Sequence, residues 1–200
     1  MTDIEGPLKE GAARALGRSL TTAETAMLIK YLKILAKWQK TQRLVGSSDP
    51  RWIVDNVLVD SLLFARVLPE RVATLCDVGS GAGVPGIPLK IVMATTDVAL
   101  IEVRRRRASF LSAVVRELPL KGCQVINRRL EDVRSELAGK FQAVVMRCAG
   151  NPLSLVSQIG PLLASGGVIV ASGPPSPRSL EIGDWVEVGG RRRFWRYQLP

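Results

Sequence analysis

Beyond residue 71 the chain alternates short apolar runs with amphipathic stretches, and this alternation constrains the fold more than any other feature. The runs at residues 72–78, 98–101, 123–126, 143–145 and 168–171 read as buried parallel strands. A strand covered on both faces carries continuous apolar residues instead of alternating ones. Between them, residues 85–94, 104–118, 130–137 and 153–163 repeat apolar side chains at helical spacing. That order predicts a doubly wound α/β sheet. Residues 172–177 are turn-forming, and two weaker strands are expected at 185–188 and 193–198.

The first seventy residues have a different texture. Met27, Leu28, Tyr31, Leu32, Ile34, Leu35 and Trp38 fall on one face of a helix over residues 22–40, a shorter helix precedes it at 8–16, and Pro50 opens another through Leu62. The reading is a helical extension, 1–70, packed on an α/β core, 71–200, as one structural domain. A chain of 200 residues buries roughly 70% of its unfolded surface, so it needs no staples.

The chain contains no histidine. That removes the usual transition-metal ligand and the usual general base at neutral pH, so catalytic triads and histidine-based metal hydrolases are excluded and no metal is expected. Cys76, Cys123 and Cys148 are scattered and lack CxxC spacing, which reads as buried thiols in a reducing compartment. Asp3, Glu5, Lys9 and Glu10 leave no apolar leader, and no stretch reaches the roughly 18 apolar residues of a membrane span. A cytoplasmic monomer without a membrane partner is expected. Lysine and arginine number 28 against 18 acids, a net charge of +10, which favours a polyanionic partner, nucleic acid first.

The segment Asp77-Val78-Gly79-Ser80-Gly81-Ala82-Gly83-Val84-Pro85-Gly86 lies where the first strand ends and a helix begins. Ligands of open α/β sheets bind at such strand ends, and glycines let the backbone turn sharply and approach a ligand. Pro85 suits the first helical position. Gly81, Gly83 and Gly86 also satisfy GxGxxG, with Glu102 following Gly81 by 21 residues, so a dinucleotide site is the alternative. Counted from Gly79, however, the third glycine is Val84, and counted from Gly81 the turn comes too late. Asp77 would repel a pyrophosphate and attract an ammonium group. The turn therefore favours a cationic amino-acid cofactor over a dinucleotide. Glu102 ends the second strand, where a carboxylate accepts from both ribose hydroxyls of a nucleoside or, more plainly, caps the next helix.

Together these residues resemble the GidB/RsmG family of ribosomal small-subunit RNA methyltransferases over about residues 25–172. The densest match is DVGSGAGVPGIP, Asp77 to Pro88, joined by Trp38 and Lys40, Asp60-Ser61-Leu62, Arg106-Arg107 with Phe110-Leu111, Arg129 with Glu131, and Arg147. The resemblance implies a Rossmann-like S-adenosylmethionine-dependent methyltransferase fold with an N-terminal helical extension. It also implies methyl transfer to N7 of a guanine in 16S rRNA, naked or in the assembling particle. By the same resemblance Gly79 and Val84 line the methionine and ribose, Glu102 takes the ribose hydroxyls, Leu130 and Glu131 flank the adenine, and Arg147 holds the carboxylate or an RNA phosphate or, more plainly, makes a structural salt bridge; Asp77, Ser80, Gly81 and Gly83 complete the candidate cofactor site. The chain departs from the family at Arg43-Leu44-Val45, where Asn-Leu-Thr is usual, at Asn56-Val57 for Arg-His, and at Ser172 for lysine. These departures keep open another RNA or a small molecule as substrate, or a silent RNA-binding role.

Guanine N7 loses no proton on methylation, so the implied reaction needs alignment and no general base. Arg106, Arg107, Arg192 and Arg193 are the candidate RNA contacts. Arg104 to Arg107 open a helix, where positive charge opposes the macrodipole, and the fan of about 100° per residue allows at most two of them to face one partner. Arg191, Arg192, Arg193 and Arg196 interleave with Phe194, Trp195 and Tyr197, which either stack on unpaired bases or fill the core. Trp38 reads as helix-packing core.

Overall fold

Apolar spacing and capping account for the helices of the N-terminal part. The computed structural model describes residues 4–147, 152–172, 182–190 and 192–200, so Cys148, Arg191 and positions 173–177 of the expected turn lie outside the described residues. Helix α1 (Glu5–Leu16) buries Leu8, Ala12 and Ala15 and stops at Gly17, whose φ of +70° suits a helix C-terminus. Helix α2 (Thr22–Gln39) starts at a capping box: the Thr21 hydroxyl accepts from the Glu24 N–H, and the Glu24 carboxylate accepts from the Thr21 N–H.

The third helical segment departs from expectation. Asp49 caps α3 (Pro50–Ile53) by accepting from the Arg51 and Trp52 N–H groups. The run then widens into a π-helix, Val54–Val59, returns as α4 (Asp60–Leu62) and tightens into a 3₁₀ turn, Leu63–Arg66. Apolar periodicity foresees the helix but not the π turn, which changes the direction in which Asp60 emerges. Such segments occur often at functional sites.

The core elements follow as β1 (Thr74–Val78), α5 (Gly86–Val92), β2 (Asp97–Ile101), α6 (Arg105–Glu117), β3 (Cys123–Ile126), α7 (Leu130–Val133), β4 (Phe141–Met146), α8 (Pro152–Ile159), β5 (Leu163–Ser172), β6 (Asp184–Val188) and β7 (Arg192–Gln198). The seven strands are ordered β3-β2-β1-β4-β5-β7-β6. Strands β1 to β5 are parallel, and β7 runs antiparallel between β5 and β6. The winding direction reverses between β1 and β4, which opens a crevice at their carboxyl ends.

Three local expectations need correction. Helix α7 makes a single turn instead of reaching residue 137. Helix α8 gives way at Gly160-Pro161 to a 3₁₀ turn before β5, because glycine and proline are the weakest helix formers. Pro85 caps α5 from outside instead of occupying its first turn.

One apolar cluster joins Leu28 and Leu35 of α2 to Leu75 of β1 and Ile87 of α5, all fully buried. Full burial stabilises by roughly 1.5–3 kcal/mol per such side chain, so these contacts bind the extension firmly to the sheet. Trp38 packs edge-on against Phe110 of α6 at 5.7 Å. Cys76 is buried and Cys123 partly so, both as free thiols. Burial pushes the Cys123 thiol up to about 12. Among the described residues, no helix is long and apolar enough to cross a membrane.

Candidate active site

The glycine turn leaves the carboxyl end of β1, beside β4, where the winding direction reverses. Gly79 and Ser80 both donate to the Ile101 carbonyl at the end of β2, and Ser80 N–H donation leaves its hydroxyl free to reach the Asp77 carbonyl at 2.9 Å. Gly83 and Val84 in turn donate to the Ser80 carbonyl. The turn is also braced from outside, because the buried Tyr31 hydroxyl of α2 donates to the Ala82 carbonyl at 2.6 Å. Leaving that acceptor unpaired would cost about 1–3 kcal/mol. Tyr31 had been legible only as an apolar helix position.

Gly79, Gly81 and Gly83 all have φ between +58° and +82°, the left-handed region that side chains rarely adopt. Their surroundings differ. A Cβ on Gly83 would fall 2.6 Å from Ile87 Cγ1, and one on Gly86 would fall 2.7 Å from Asp77 Oδ2, so these two glycines serve close packing. A Cβ on Gly79 would meet nothing within 4 Å. The open side of the turn is therefore over Gly79.

Two buried acids flank that opening. Asp77 is 1% exposed, and its Oδ2 accepts from the Gly86 N–H at 2.9 Å. Its Oδ1 is buried with no partner among the described residues. Burial pushes the Asp77 carboxyl up to about 7, although the Gly86 N–H and the nearby Arg147 charge favour its ionised form. Glu102, also buried, accepts from the Gly81 N–H through Oε2 at 2.9 Å and from the Arg104 N–H through Oε1 at 2.7 Å. It thus does cap α6, as its plainer reading holds, and it also ties β2 to the turn. Each oxygen retains a further acceptor lone pair. The Asn127 side chain holds the Glu102 and Val103 carbonyls, which brings the end of β3 alongside. Leu130, half-buried, and Glu131, exposed, follow on that same rim.

Arg147 leaves the end of β4. One guanidinium nitrogen donates to the Asn56 carbonyl at 3.1 Å and lies 3.6 Å from Asp60 Oδ2. Asp60 also pairs with Arg192 at 2.5 Å. Burial pushes the Asp60 carboxyl up, and the two arginines pull it back. Asp60, the first residue of α4, therefore bridges Arg147 at the end of β4 and Arg192 of β7. In the sequence Asp60 stands only within the Asp60-Ser61-Leu62 match, with no partner in view.

The C-terminal arginines Arg192 and Arg193 are half-exposed and make ion pairs within the chain. Arg192 is engaged by Asp60 and Arg193 by Glu187, and successive strand residues point to opposite faces. Phe194 and Trp195 are 1% and 2% exposed, and Phe194 packs edge-on against Phe64. Their core reading is the correct one, because β7 is an inner strand covered on both sides.

Arg104 to Arg107 behave differently again. All four line one groove with Thr41, Gln42, Arg43 and Leu44. Arg104 precedes the helix in extended backbone, with ψ of 109°, so the fan of about 100° per residue applies to Arg105, Arg106 and Arg107. Arg107 reaches inward, its Nη1 lying 3.6 Å from where a Gly81 Cβ would stand.

The family described as GidB, rRNA small subunit methyltransferase G, matches residues 24–173. The chain belongs to this family. Its relatives include the ribosomal RNA small subunit methyltransferase G of Burkholderia thailandensis, 34% identical over 201 residues that cover 98% of this chain and 86% of that one. The protein of the same name from Aromatoleum aromaticum is 38% identical over 177 residues, covering 86% of this chain and 81% of the other. A SAM-dependent methyltransferase from Aquifex aeolicus superposes with a TM-score of 0.55 at 16% identity, covering 76% of this chain and 94% of that one. That likeness speaks for the fold, which is Rossmann-like. As a member of the GidB family the chain is an S-adenosylmethionine-dependent methyltransferase. The site suits that cofactor: an unpartnered buried carboxylate oxygen for a cationic group, open space over Gly79, and a second carboxylate with spare lone pairs for a diol.

Proposed function

We propose that this enzyme methylates N7 of a guanine in 16S rRNA and that the turn after β1 is its cofactor cradle. The observation that carries the cradle is the clear space over Gly79, set between the buried carboxylates of Asp77 and Glu102. Gly79, Ser80, Gly81, Gly83 and Val84 shape the backbone there, Asp77 attracts the cationic amino-acid end, and Glu102 accepts from the ribose. Leu130 and Glu131 border the adenine. Arg147, steadied by Asp60, faces the carboxylate end, and Arg106 and Arg107 contact the RNA.

The bound cofactor supplies an electrophilic methyl group on a sulfonium. Guanine N7 would take that methyl on its own lone pair as the carbon–sulfur bond breaks and a neutral thioether leaves, so no side chain has to remove a proton, and the absence of histidine is no obstacle. The chain's work is alignment and exclusion of water, an effect able to lower a barrier by roughly 7–11 kcal/mol. A guanidinium forked onto guanine O6 and N7 would cover the nucleophile. The arginines therefore serve phosphates. The decisive experiment is transfer of labelled methyl to 16S rRNA from a strain lacking the modification, followed by cleavage mapping at N7-methylguanine. Label on protein or small molecules but not on RNA would refute the substrate.

Asp77 gives this reading a pH signature. A cationic group binds the ionised carboxylate, but the free protein holds the proton up to about 7. Cofactor affinity should therefore fall as pH drops below 7, by up to about tenfold per unit, and level off above it. Calorimetric titration from pH 5.5 to 8 checks this, and Asp77→Asn should flatten the profile. An unchanged slope in the variant removes Asp77 from the binding role.

A further inference from the structure

The groove between the α2–α3 loop and the start of α6 has a volume of about 390 Å³ and is lined by Arg43, Arg104, Arg105, Arg106 and Arg107. None of these five side chains has a hydrogen bond or ion pair among the described residues. Arg18, Arg51, Arg128, Arg147, Arg192 and Arg193 are paired with acids, and Arg14, Arg66, Arg71, Arg116, Arg129 and Arg134 share the lack of an ion pair among the described residues, so it is the convergence of five in one groove that sets these apart. Mutual repulsion and the positive end of α6 both oppose this convergence. An anion from outside relieves both.

The opposite wall is held in place before any ligand arrives. Gln39 Oε1 accepts from the Leu44 and Val45 N–H groups at 2.8 and 3.1 Å, and its Nε2 donates to the Val45 and Ser47 carbonyls at 2.8 and 3.3 Å. Leu44 is buried beneath the loop and Arg43 stands exposed on it. A loop fixed in this way loses little entropy on binding. At its inner end the groove meets the cofactor turn, where Arg107 approaches Gly81.

We infer that this groove is a clamp for the sugar-phosphate backbone of single-stranded RNA next to the target guanine. Arg107 takes the phosphate nearest the cofactor, and Arg43 and Arg105 take phosphates further out. The inference rests on the rRNA reading above and extends it from Arg106 and Arg107 to a contiguous track that includes Arg43. Such contacts are blind to sequence and strongly dependent on salt.

The test measures binding of a short fluorescent single-stranded rRNA fragment by anisotropy from 50 to 300 mM KCl, for the full chain and for Arg43→Ala/Arg105→Ala. Each lost phosphate contact lowers the single-strand salt slope by about 0.7, so the double variant should flatten it by about 1.4 and bind at least about tenfold more weakly at low salt. Its cofactor affinity and melting temperature should match those of the parent, since both side chains are exposed and neither has a hydrogen bond or ion pair among the described residues. An unchanged slope overturns the clamp. So does unchanged RNA binding combined with lost binding of a polyaspartate peptide, which would assign the groove to an acidic protein segment. Arg43→Gln/Arg105→Gln repeats the measurement if the alanine pair melts early. Flattening of the slope without any N7-methylguanine formed by the parent enzyme would sink the substrate reading and leave the clamp standing. Methylation with an unchanged slope does the reverse.

Discussion

Gly79→Asp is expected to abolish S-adenosylmethionine binding at millimolar concentration while the protein stays folded. The backbone at Gly79 has φ of +72°, which costs an ordinary side chain roughly 1–2 kcal/mol and aspartate less. No atom lies within 4 Å of the new Cβ, so the side chain extends freely into the cradle without disturbing the core. Gly86→Ala makes the contrasting case. Its Cβ would collide with Leu100 Cδ2 at 2.5 Å and with Asp77 Oδ2 at 2.7 Å, so the fold suffers first. Calorimetric titration paired with thermal unfolding separates the two: binding disappears at a near-normal melting temperature in the first, and the melting temperature drops in the second. Parental affinity in Gly79→Asp would place the cofactor elsewhere.

Glu102→Ala should weaken cofactor binding by about a hundredfold or more. Two hydrogen bonds from ribose hydroxyls to a carboxylate are worth about 1.5–3 kcal/mol each, and tenfold in affinity corresponds to about 1.4 kcal/mol. The variant also strips the Gly81 and Arg104 N–H groups of their acceptor, so part of the loss comes through the turn itself. Glu102→Gln is no gentle control. Whichever way its amide lies, the NH₂ group confronts a backbone N–H that the carboxylate now accepts from. The two contributions separate in a cycle with a 2′-deoxy analogue of the demethylated cofactor. The penalty for the missing hydroxyl should shrink in Glu102→Ala. An undiminished penalty would confine Glu102 to capping α6.

The sheet was legible in the sequence because its inner strands are apolar on both faces, and the glycine turn because its spacing has few other uses. Residue contributions that depend on distant partners were not legible. Asp60 and Arg192 are 132 positions apart, so nothing local to either foretells that they pair. Phe194 and Trp195 were ambiguous because strand order decides whether β7 is an edge, and strand order is set by the whole topology. The π-helix over Val54–Val59 leaves the apolar period almost untouched and so gave no signal. Arg104 to Arg107 were visible as charge, yet the groove they line needs the Arg43 loop, which Gln39 shapes through backbone contacts that no residue pattern announces.

Helix α2 carries both Tyr31, which grips the turn at Ala82, and Gln39, which sets the Arg43 loop. Eight residues along an α-helix span about 12 Å. The helix is thereby a ruler: it fixes how far the glycine turn stands from the Arg43 loop. Inserting or removing one residue between these two anchors would shift that spacing by only about 1.5 Å but swing one anchor about 100° around the axis. The proposed cofactor cradle and the proposed RNA track are thus kept in register by a rod that takes no part in the chemistry.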